Sequence, residues 1–459
     1  MRYANLPKGA SMGLTGIQIF KLLPKTNCKE CGVPTCLAFA MNLAAGKAEL
    51  SQCPYVSEEA KAQLSEAAAP PIRPVSMGSG ENVVKIGGET VLFRHEKTFV
   101  NKPGFAIQVS DTMPEAEVNS RLKRFKELKY ERVGLTLRPE MVAVKNESGD
   151  PGKFEALVRK VKAETDAALI LISENADAMT AGVKACADRA PLIYAANDGN
   201  SEALANLAKE HKCPLAIKAS NLETLSSLSD KLTAAGLKDL VLDSGSRTLR
   251  KAFEDQVFIR RAALNQKNRS LGFPTITFPC EMTKDPIKEA LIAATFVAKY
   301  AGVIVLSDFQ GESLFPLLVE RLNIYTDPQR PMTMQQGIYP ISNPGEDSPV
   351  LITTNFSLTY FIVSGEIESS RVPSWLLVMD TEGLSVLTAW AAGKFAGDAI
   401  GVFIKKCAIT DKVKHRKVVI PGAVAAISGD LEEELGSGWE VKIGPREAAH
   451  IPAYLKMGN

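Results

Sequence analysis

Four of the eight cysteines in this 459-residue chain lie within one short segment near the N-terminus. They are Cys28, Cys31, Cys36 and Cys53, in the pattern Cys-x2-Cys-x4-Cys-x16-Cys. Structural zinc usually takes two tight Cys-x2-Cys pairs. Here one loop carries three thiols, which can reach three corners of an iron–sulfur cubane, and a Cys-Pro pair of the ferredoxin type supplies the fourth. The spacing favours a [4Fe–4S] cluster, with a structural zinc site as the alternative.

Two loops rich in short polar side chains form a second candidate site. They are TTNFSLT (353–359) and DTEGLSVLT (380–388), and each follows a predicted strand. Ligands bind beyond the carboxyl ends of parallel strands, and these loops suit a large ligand with many amide groups. Helix N-capping is the alternative, because Thr, Asn and Ser are common N-caps. The chain lacks the glycine-rich motifs of dinucleotide and nucleoside triphosphate sites, which disfavours both ligands.

Composition narrows the class of protein. The net charge is +2, with 45% hydrophobic and 23% charged residues, which is typical of a folded soluble protein and predicts no nucleic acid partner. No apolar stretch reaches the ~18 residues needed to span a bilayer, and no secretory pattern begins the chain. We therefore predict a cytoplasmic protein with reduced thiols. The remaining cysteines are predicted to be small buried side chains: Cys186, Cys213, Cys280 and Cys407.

The N-terminal part, residues 1–66, is predicted to form a small iron–sulfur domain. Helices are expected over 15–23, where Thr15 and Gln18 have capping-box spacing, and over 35–45 and 57–68. Residues 67–95 are predicted as a linker and hairpin. Within this segment, 67–82 is rich in Ala, Pro, Gly and Ser and reads as a tether, while 83–95 suggests a hairpin that turns at Gly87-Gly88.

Residues 96–325 show short apolar runs that alternate with amphipathic helical stretches. Eight such units within this length predict a TIM (β/α)8 barrel, and an open doubly wound sheet is the alternative. The predicted strands are 105–109, 132–137, 168–172, 191–195, 214–218, 239–243, 275–278 and 302–306.

A second β/α series occupies residues 326–459, after a segment rich in proline and glycine. It predicts a small Rossmann-like parallel sheet, so that the whole chain is of the α/β class. The predicted strands are 350–354, 375–380, 399–404, 417–422 and 439–444.

Taken together, these segments resemble the large (gamma) subunit of the corrinoid iron–sulfur protein of the reductive acetyl-CoA (Wood–Ljungdahl) pathway. The most specific segments are LPKTNCKECGVPTCLAFAMNLAAGKAEL, TTNFSLTYF and DTEGLSVLTAWAAGKF. The resemblance implies a C-terminal corrinoid-binding domain and cluster ligation by Cys28, Cys31, Cys36 and Cys53. The corrinoid contacts that it implies are Thr353, Thr359, Gly383, Leu384, Ser385, Val386 and Arg446.

The same resemblance implies a methyl carrier in a heterodimer with a small barrel subunit. Methyl would pass from a methyltetrahydrofolate (or related methyl-pterin) methyltransferase to Co(I), and then to the nickel centre of CO dehydrogenase/acetyl-CoA synthase. The [4Fe–4S] cluster, charged by a low-potential donor such as ferredoxin, would reduce inactive Co(II). Such subunits carry groups more than they catalyse autonomously, although they are often classed with methyltransferases.

The four histidines bear on how the corrinoid would be held. None of His95, His211, His415 and His450 lies in a D-x-H-x-x-G motif, so we predict a base-off corrinoid without a histidine ligand. Two other functions fit the sequence. One is a [4Fe–4S] electron-transfer subunit fused to a pterin-binding barrel without corrinoid, and the other is a zinc-stabilised scaffold.

Overall fold

The computed structural model describes residues 15–44, 48, 50–57, 60–61, 70–132, 134–327 and 331–457. The chain divides into two compact units. The first contains residues 1–130 and 137–325, and the second contains residues 131–136 and 326–459. In the described part of the chain, no helix is both long and apolar enough to cross a membrane.

The cysteine-rich region contains helices α1 (Gly16–Leu22) and α2 (Cys36–Ala44). The predicted capping box is confirmed, because Gln18 N donates to Thr15 Oγ1 at 3.3 Å and Thr15 N donates to Gln18 Oε1 at 2.8 Å. The two helices pack around a small apolar core that includes Phe39 and Ala40. The helix predicted over 57–68 lies mostly outside the described residues.

A hairpin precedes the barrel, but it is not the predicted one. Strand β1 (Val75–Met77) pairs antiparallel with β2 (Val84–Ile86), and both alternate buried, exposed, buried. The tether prediction is therefore wrong over the described residues 70–82, and the hairpin turns before Gly87 rather than at it. Apolar alternation, with the side chains of Val75, Met77 and Ile86 fully buried, outweighs the proline and glycine content.

The next strands are β3 (Gly104–Ser110), β4 (Tyr130–Arg132), β5 (Leu135–Leu137), β6 (Met141–Lys145), β7 (Ala168–Ile172), β8 (Leu192–Ala196), β9 (Leu215–Lys218), β10 (Leu240–Asp243), β11 (Thr275–Thr277) and β12 (Ala301–Leu306). All except β4 and β5 form a closed parallel barrel in chain order, which confirms the eight-stranded barrel over the open sheet. The helices between them are α3 (Glu115–Glu127), α4 (Pro151–Glu164), α5 (Ala176–Cys186), α6 (Ser201–His211), α7 (Leu222–Ala234), α8 (Leu249–Asn265), α9 (Pro286–Ala298) and α10 (Gly311–Ile324).

One barrel strand was predicted at the wrong place. Residue 132 ends β4 and residues 135–137 form β5, in a separate two-stranded sheet, and the second barrel strand is β6. Parallel barrel strands are covered on both faces and therefore read as continuous apolar runs. The sequence MVAVK of β6 fits that rule, since its first four residues are buried, whereas Leu135 in β5 is half exposed.

The hairpin closes the amino-terminal end of the barrel. Its inward side chains join the same apolar cluster as the residues that face the barrel interior, such as Ala106 and Ala143. Ile86 and Val84 lie against Gly302 and Gly104, which are near the starts of their strands. The opposite end, where the strands finish, is left open, and this is the end at which barrel proteins bind ligands.

The second unit is a mixed sheet flanked by helices. Its strands are β13 (Gly337–Ile341), β14 (Val350–Thr354), β15 (Ser374–Met379), β16 (Lys417–Ile420) and β17 (Glu440–Ile443), in the order β13-β15-β14-β16-β17. Its helices are α11 (Ser357–Ser370), α12 (Val386–Ala391), α13 (Gly397–Lys406), α14 (Ser428–Leu435) and α15 (Ile451–Lys456). Four strands are parallel as predicted, while β13 pairs antiparallel with β15.

Two sequence assignments in this unit are corrected. Residues 399–404, predicted as a strand, lie within α13, where Ile400, Phe403 and Ile404 share a buried helical face. Strand β13 was read as part of a domain boundary because it contains Pro340. Proline is tolerated there because β13 is an edge strand and needs hydrogen bonds on one side only.

We expect the hairpin to contribute substantially to stability. Ile86→Ala removes a fully buried side chain from the closed end of the barrel and should lower the free energy of unfolding by about 2–4 kcal/mol. Urea unfolding followed by circular dichroism measures the change. Val83→Ala, at a half-exposed position of the same hairpin, should cost less than about 1 kcal/mol. Equal losses in the two variants would contradict burial of the hairpin.

Candidate ligand cleft and cysteine site

A cleft opens at the carboxyl ends of the parallel strands in the second unit. Strands β14 and β16 are neighbours, but the chain leaves β14 through α11 toward β15 and leaves β16 through α14 toward β17. The connections thus diverge at the boundary between these strands, which is where α/β sheets bind ligands. The cleft has a volume of about 590 Å³, within the range of small-molecule and cofactor sites.

Five of the seven corrinoid contacts implied by the resemblance line this cleft: Thr353, Thr359, Ser385, Val386 and Arg446. They come from four separate places along the chain. Thr353 lies near the end of β14, Thr359 lies in the first turn of α11, Ser385 and Val386 begin α12, and Arg446 follows β17. Strand ends that are distant in sequence therefore converge on one cavity.

Gly383 and Leu384 do not line the cleft. Gly383 has φ of 77°, and a Cβ there would lie 2.7 Å from Pro331 Cγ and from Thr333 Cγ2. Leu384 packs against the apolar core of the unit. These two residues shape the loop that carries Ser385 and Val386 to the cleft.

Three buried hydroxyl groups at the end of β14 lack partners within the described structure. They are Thr353 Oγ1, Thr354 Oγ1 and Ser357 Oγ. A buried polar group left without a hydrogen bond costs about 1–3 kcal/mol. Thr353 is 1% exposed and lines the cleft, so a polar group of a ligand can supply the missing hydrogen bond.

The walls of the cleft are largely apolar. Ile362, Val363, Leu387 and Ile451 line it, and Ile362 and Leu387 are about half exposed although they are large aliphatic side chains. Exposed apolar surface of this kind marks binding sites. Apolar walls combined with an unpartnered hydroxyl and one cationic side chain fit a large ligand that has apolar faces and a polar edge. A corrinoid, a broad macrocycle with amide arms, meets this description.

Sequence reasoning missed the apolar wall and the close approach of two loops. A Cβ on Gly422 would lie 2.9 Å from Arg446 N, so the turns after β16 and β17 meet at a glycine. The missed signal for the wall lies in α11, whose apolar residues Leu358 and Ile362 fall outside the buried face yet recur at helical spacing. The four histidines are absent from the lining residues in the described cleft.

The cysteine loop is held by local hydrogen bonds. Asn27 Oδ1 accepts from Cys36 N at 2.8 Å, and Thr35 Oγ1 accepts from Ala38 N at 3.1 Å at the start of α2. Tyr55 OH donates to Glu30 Oε1 at 2.9 Å. Because Glu30 lies between two of the cysteines and Tyr55 follows the fourth, this bond brings the Cys53 segment to the loop.

The four cysteines share one region but differ in burial. Cys36 and Cys53 are buried in the apolar core around α2, Cys31 packs against that core, and Cys28 is exposed. All four are free thiols, so the donor set that a cluster needs is present. In the part of the chain that the structure describes, no three Cys, His, Asp or Glu side chains are grouped so that they could hold a metal ion.

A second cavity, of about 510 Å³, lies at the carboxyl ends of the barrel strands. Its charged groups are paired with one another. Arg247 Nη2 lies 2.8 Å from Asp243 Oδ2, and Lys145 Nζ lies 3.0 Å from Glu147 Oε1. Burial alone would lower the pKa of Arg247, but its hydrogen bond with Asp243 raises it. The charged side chains at the mouth of the barrel thus form ion pairs with one another.

Comparison with known proteins establishes the family. The family described as CO dehydrogenase/acetyl-CoA synthase delta subunit matches residues 74–455, and the one described as putative Fe-S cluster matches residues 23–55. The corrinoid/iron-sulfur protein large subunit of Moorella thermoacetica is 47% identical over 445 residues, which cover 97% of this chain and 99% of the relative. This chain belongs to the corrinoid/iron–sulfur protein large-subunit family.

Other known proteins are also similar to this chain. The acetyl-CoA decarbonylase/synthase complex subunit gamma of Methanopyrus kandleri is 37% identical, over 96% of this chain and 97% of its own. Among solved structures, the 7,8-dihydropteroate synthase from Vibrio fischeri covers 50% of this chain and 99% of its own, with 15% identity and a TM-score of 0.38.

The unpartnered hydroxyl of Thr353 leads to a test in the ligand-free protein. Thr353→Val replaces a buried hydroxyl that has no partner in the described structure, so the free energy of unfolding should stay unchanged or rise by up to about 1–2 kcal/mol. Thr277→Val in the barrel is the matched control, because Thr277 Oγ1 donates to Val303 O at 3.3 Å. It should lower stability by about 1 kcal/mol. Thermal and urea unfolding measure both, and a clear loss of stability in Thr353→Val would show that its hydroxyl is satisfied within the protein.

Proposed function

We propose that this chain is the corrinoid-carrying and cluster-carrying subunit of a methyl-transfer system in acetyl-CoA metabolism. The cleft at the divergence of β14 and β16 is the observation that carries the proposal, because it combines apolar walls, the unpartnered Thr353 hydroxyl and Arg446. A relative that matches nearly the full length of the chain is named for both groups, a corrinoid and an iron–sulfur centre.

The corrinoid is assigned to this cleft. When bound, it would supply a cobalt centre whose reduced state can carry a methyl group. Thr353, Thr359 and Ser385 offer hydroxyls to the amide arms, and the aliphatic side chains of α11 and α12 exclude water from one face. Gly383 and Leu384 place the loop that carries Ser385 and Val386. None of the four histidines lines the described cleft, so the residues that would hold the corrinoid there do not include a histidine of this chain.

Arg446 completes the polar side of the cleft. It follows β17 in the turn that approaches Gly422, and it is the cationic residue of the described lining. A guanidinium group offers several donors in one plane, which suits the oxygen-rich edge of an amide- and phosphate-bearing ligand.

The cluster is assigned to Cys28, Cys31, Cys36 and Cys53. A [4Fe–4S] cluster held there would supply single electrons, the chemistry that reduction of an oxidised cobalt centre needs. Cys36 begins α2, so its thiolate would lie at the positive end of the helix dipole, which favours negative charge. Residues 1–66 form this cluster domain, 67–95 join it to the barrel of 96–325, and 326–459 bind the corrinoid.

The carrier role requires partners of defined chemistry. A methyl-pterin methyltransferase acting on methyltetrahydrofolate or a relative donates the methyl group, and the nickel centre of CO dehydrogenase/acetyl-CoA synthase accepts it. A small barrel subunit completes a heterodimer, and a low-potential donor such as ferredoxin reduces the cluster. The chain acts in the cytoplasm as a carrier rather than as an autonomous enzyme.

Metal analysis of the protein, purified without oxygen together with its small partner subunit, tests this function. We expect about four iron atoms and one cobalt atom per large subunit, with corrinoid and cluster absorption bands that both change on addition of a strong reductant. Iron without cobalt would instead indicate an electron-transfer subunit with a pterin-binding barrel. Zinc without either would indicate a structural scaffold, and both of these outcomes would overturn the proposal.

Substitution of one cysteine tests the cluster assignment separately. Cys53→Ser should lose most of the bound iron and the broad visible absorption of the cluster while it retains cobalt, because the two sites lie in different compact units. Cys407→Ser is the control, since this half-buried thiol contacts Ile404 O and lies in the second unit. It should keep both metals. Full iron content in Cys53→Ser would remove Cys53 from the ligand set.

A further inference from the structure

Asn355 is a buried residue at which three segments of the second unit meet. It directly follows β14 and is 4% exposed. Its backbone N donates to Met379 O at 2.9 Å, and its backbone O accepts from Met334 N at 2.8 Å. The backbone of Asn355 therefore ties the end of β14 to the end of β15 and to the segment before β13.

The side-chain amide of Asn355 holds the loop that follows β15. Its Oδ1 accepts from Thr381 N at 3.0 Å, from Thr381 Oγ1 at 3.2 Å and from Gly383 N at 3.0 Å. Its Nδ2 donates to Asp380 Oδ1 at 2.8 Å. One amide thus uses its acceptor and its donor on the same loop, which an ionised aspartate or an alanine cannot do.

The conformation of this loop depends on those bonds. Glu382 and Gly383 both have positive φ, 57° and 77°, and the left-handed region is unfavourable for a residue such as glutamate. The turn closes on itself where Thr381 Oγ1 lies 3.1 Å from Leu384 O, so its single hydrogen is shared between that carbonyl and Asn355 Oδ1. The N–H groups of Thr381 and Gly383 point inward to Asn355, so they are satisfied only while its amide is in place.

The loop ends at the wall of the cleft. Ser385 follows the turn directly, its Oγ lies 3.0 Å from Thr388 Oγ1, and α12 begins at the next residue. Ser385, Val386 and Leu387 all line the cleft, and Thr353 lines it from β14 only two residues before Asn355. Asn355 itself is not part of the lining, so its contribution to binding acts through the residues that it positions.

We propose that Asn355 is the positioning residue of the cleft, which sets the distance between the Thr353 side and the Ser385–Leu387 side and so determines how tightly a corrinoid is held. This proposal rests on the proposed function for the identity of the ligand. The geometry of the loop does not depend on which ligand binds, so the positioning role and the identity of the ligand can be tested separately.

The test compares Asn355→Ala with Asn221→Ala in the full chain. Asn221 is also an asparagine whose Oδ1 accepts a backbone N–H, that of Thr224 at 2.8 Å, but it lies at the start of α7 in the barrel. Two quantities are measured: hydrogen exchange of the 380–385 amides in the ligand-free protein, and the dissociation constant of added cobalamin from its absorption change. Thermal unfolding records the stability of each variant.

In Asn355→Ala we expect fast exchange at Thr381 and Gly383 and cobalamin binding weakened by about tenfold or more, a loss of ~1.4 kcal/mol. Asn221→Ala should change neither quantity. Asn355→Asp should also bind weakly, because it places a second carboxylate against Asp380. Addition of Asp380→Asn should recover part of the affinity, since an amide at position 380 can donate to the carboxylate introduced at position 355.

Each result has a distinct meaning. Unchanged cobalamin binding in Asn355→Ala, with binding by the parent chain intact, would overturn the positioning role and leave the proposed function standing. Equal weakening of cobalamin binding in Asn221→Ala would show that general destabilisation causes the effect, and this result would also overturn the positioning role. Failure of the parent chain to bind cobalamin at all would overturn the proposed function, while hydrogen exchange would still report whether Asn355 holds the loop.

Discussion

Parallel pairing of β14 with both β15 and β16 is the constraint on which the candidate site depends. The chain continues from β14 to β15 on one side, whereas from β16, the neighbour on the other side, it continues to β17, away from β14. A gap remains where the two connections separate. The apolar side chains of α11 and the turns after β16 and β17 then form walls around a space that the topology itself has created.

That gap also explains why buried hydroxyls occur at the end of β14. Residues near the carboxyl end of a central strand are enclosed by neighbouring strands, yet the sheet itself ends there. The side chain of Asn355 forms hydrogen bonds with the adjacent loop. The Thr353 side chain instead faces the cavity, and its hydroxyl has no partner within the described residues. A satisfied and an unsatisfied polar side chain therefore stand two residues apart at this end of the sheet.

The sequence predicted those parts of the structure that depend on local pattern. The capping box at Thr15 and seven of the eight barrel strands have signals within a few residues. Errors occurred where tertiary burial decides the outcome. Residues 132–137 have good strand propensity, but the strands they contribute to belong to a separate small sheet. Residues 399–404 are apolar enough for a strand, but their buried side chains recur at helical spacing. The polar loops after β14 and β15 were found, whereas the roles of Asn355 and Gly383 depend on contacts between loops that are far apart in sequence.

The hairpin formed by β1 and β2 limits how far the cysteine region can move from the barrel. Since the hairpin is packed into the closed end of the barrel, the chain is anchored there from about residue 70 onward. Only nine peptide steps separate Lys61 from Pro70. At ~3.3–3.6 Å per residue, their contour length is at most about 30 Å in any conformation. The point at which the chain leaves the cysteine region therefore stays within about 30 Å of Pro70, which limits how far this region can move from the floor of the barrel.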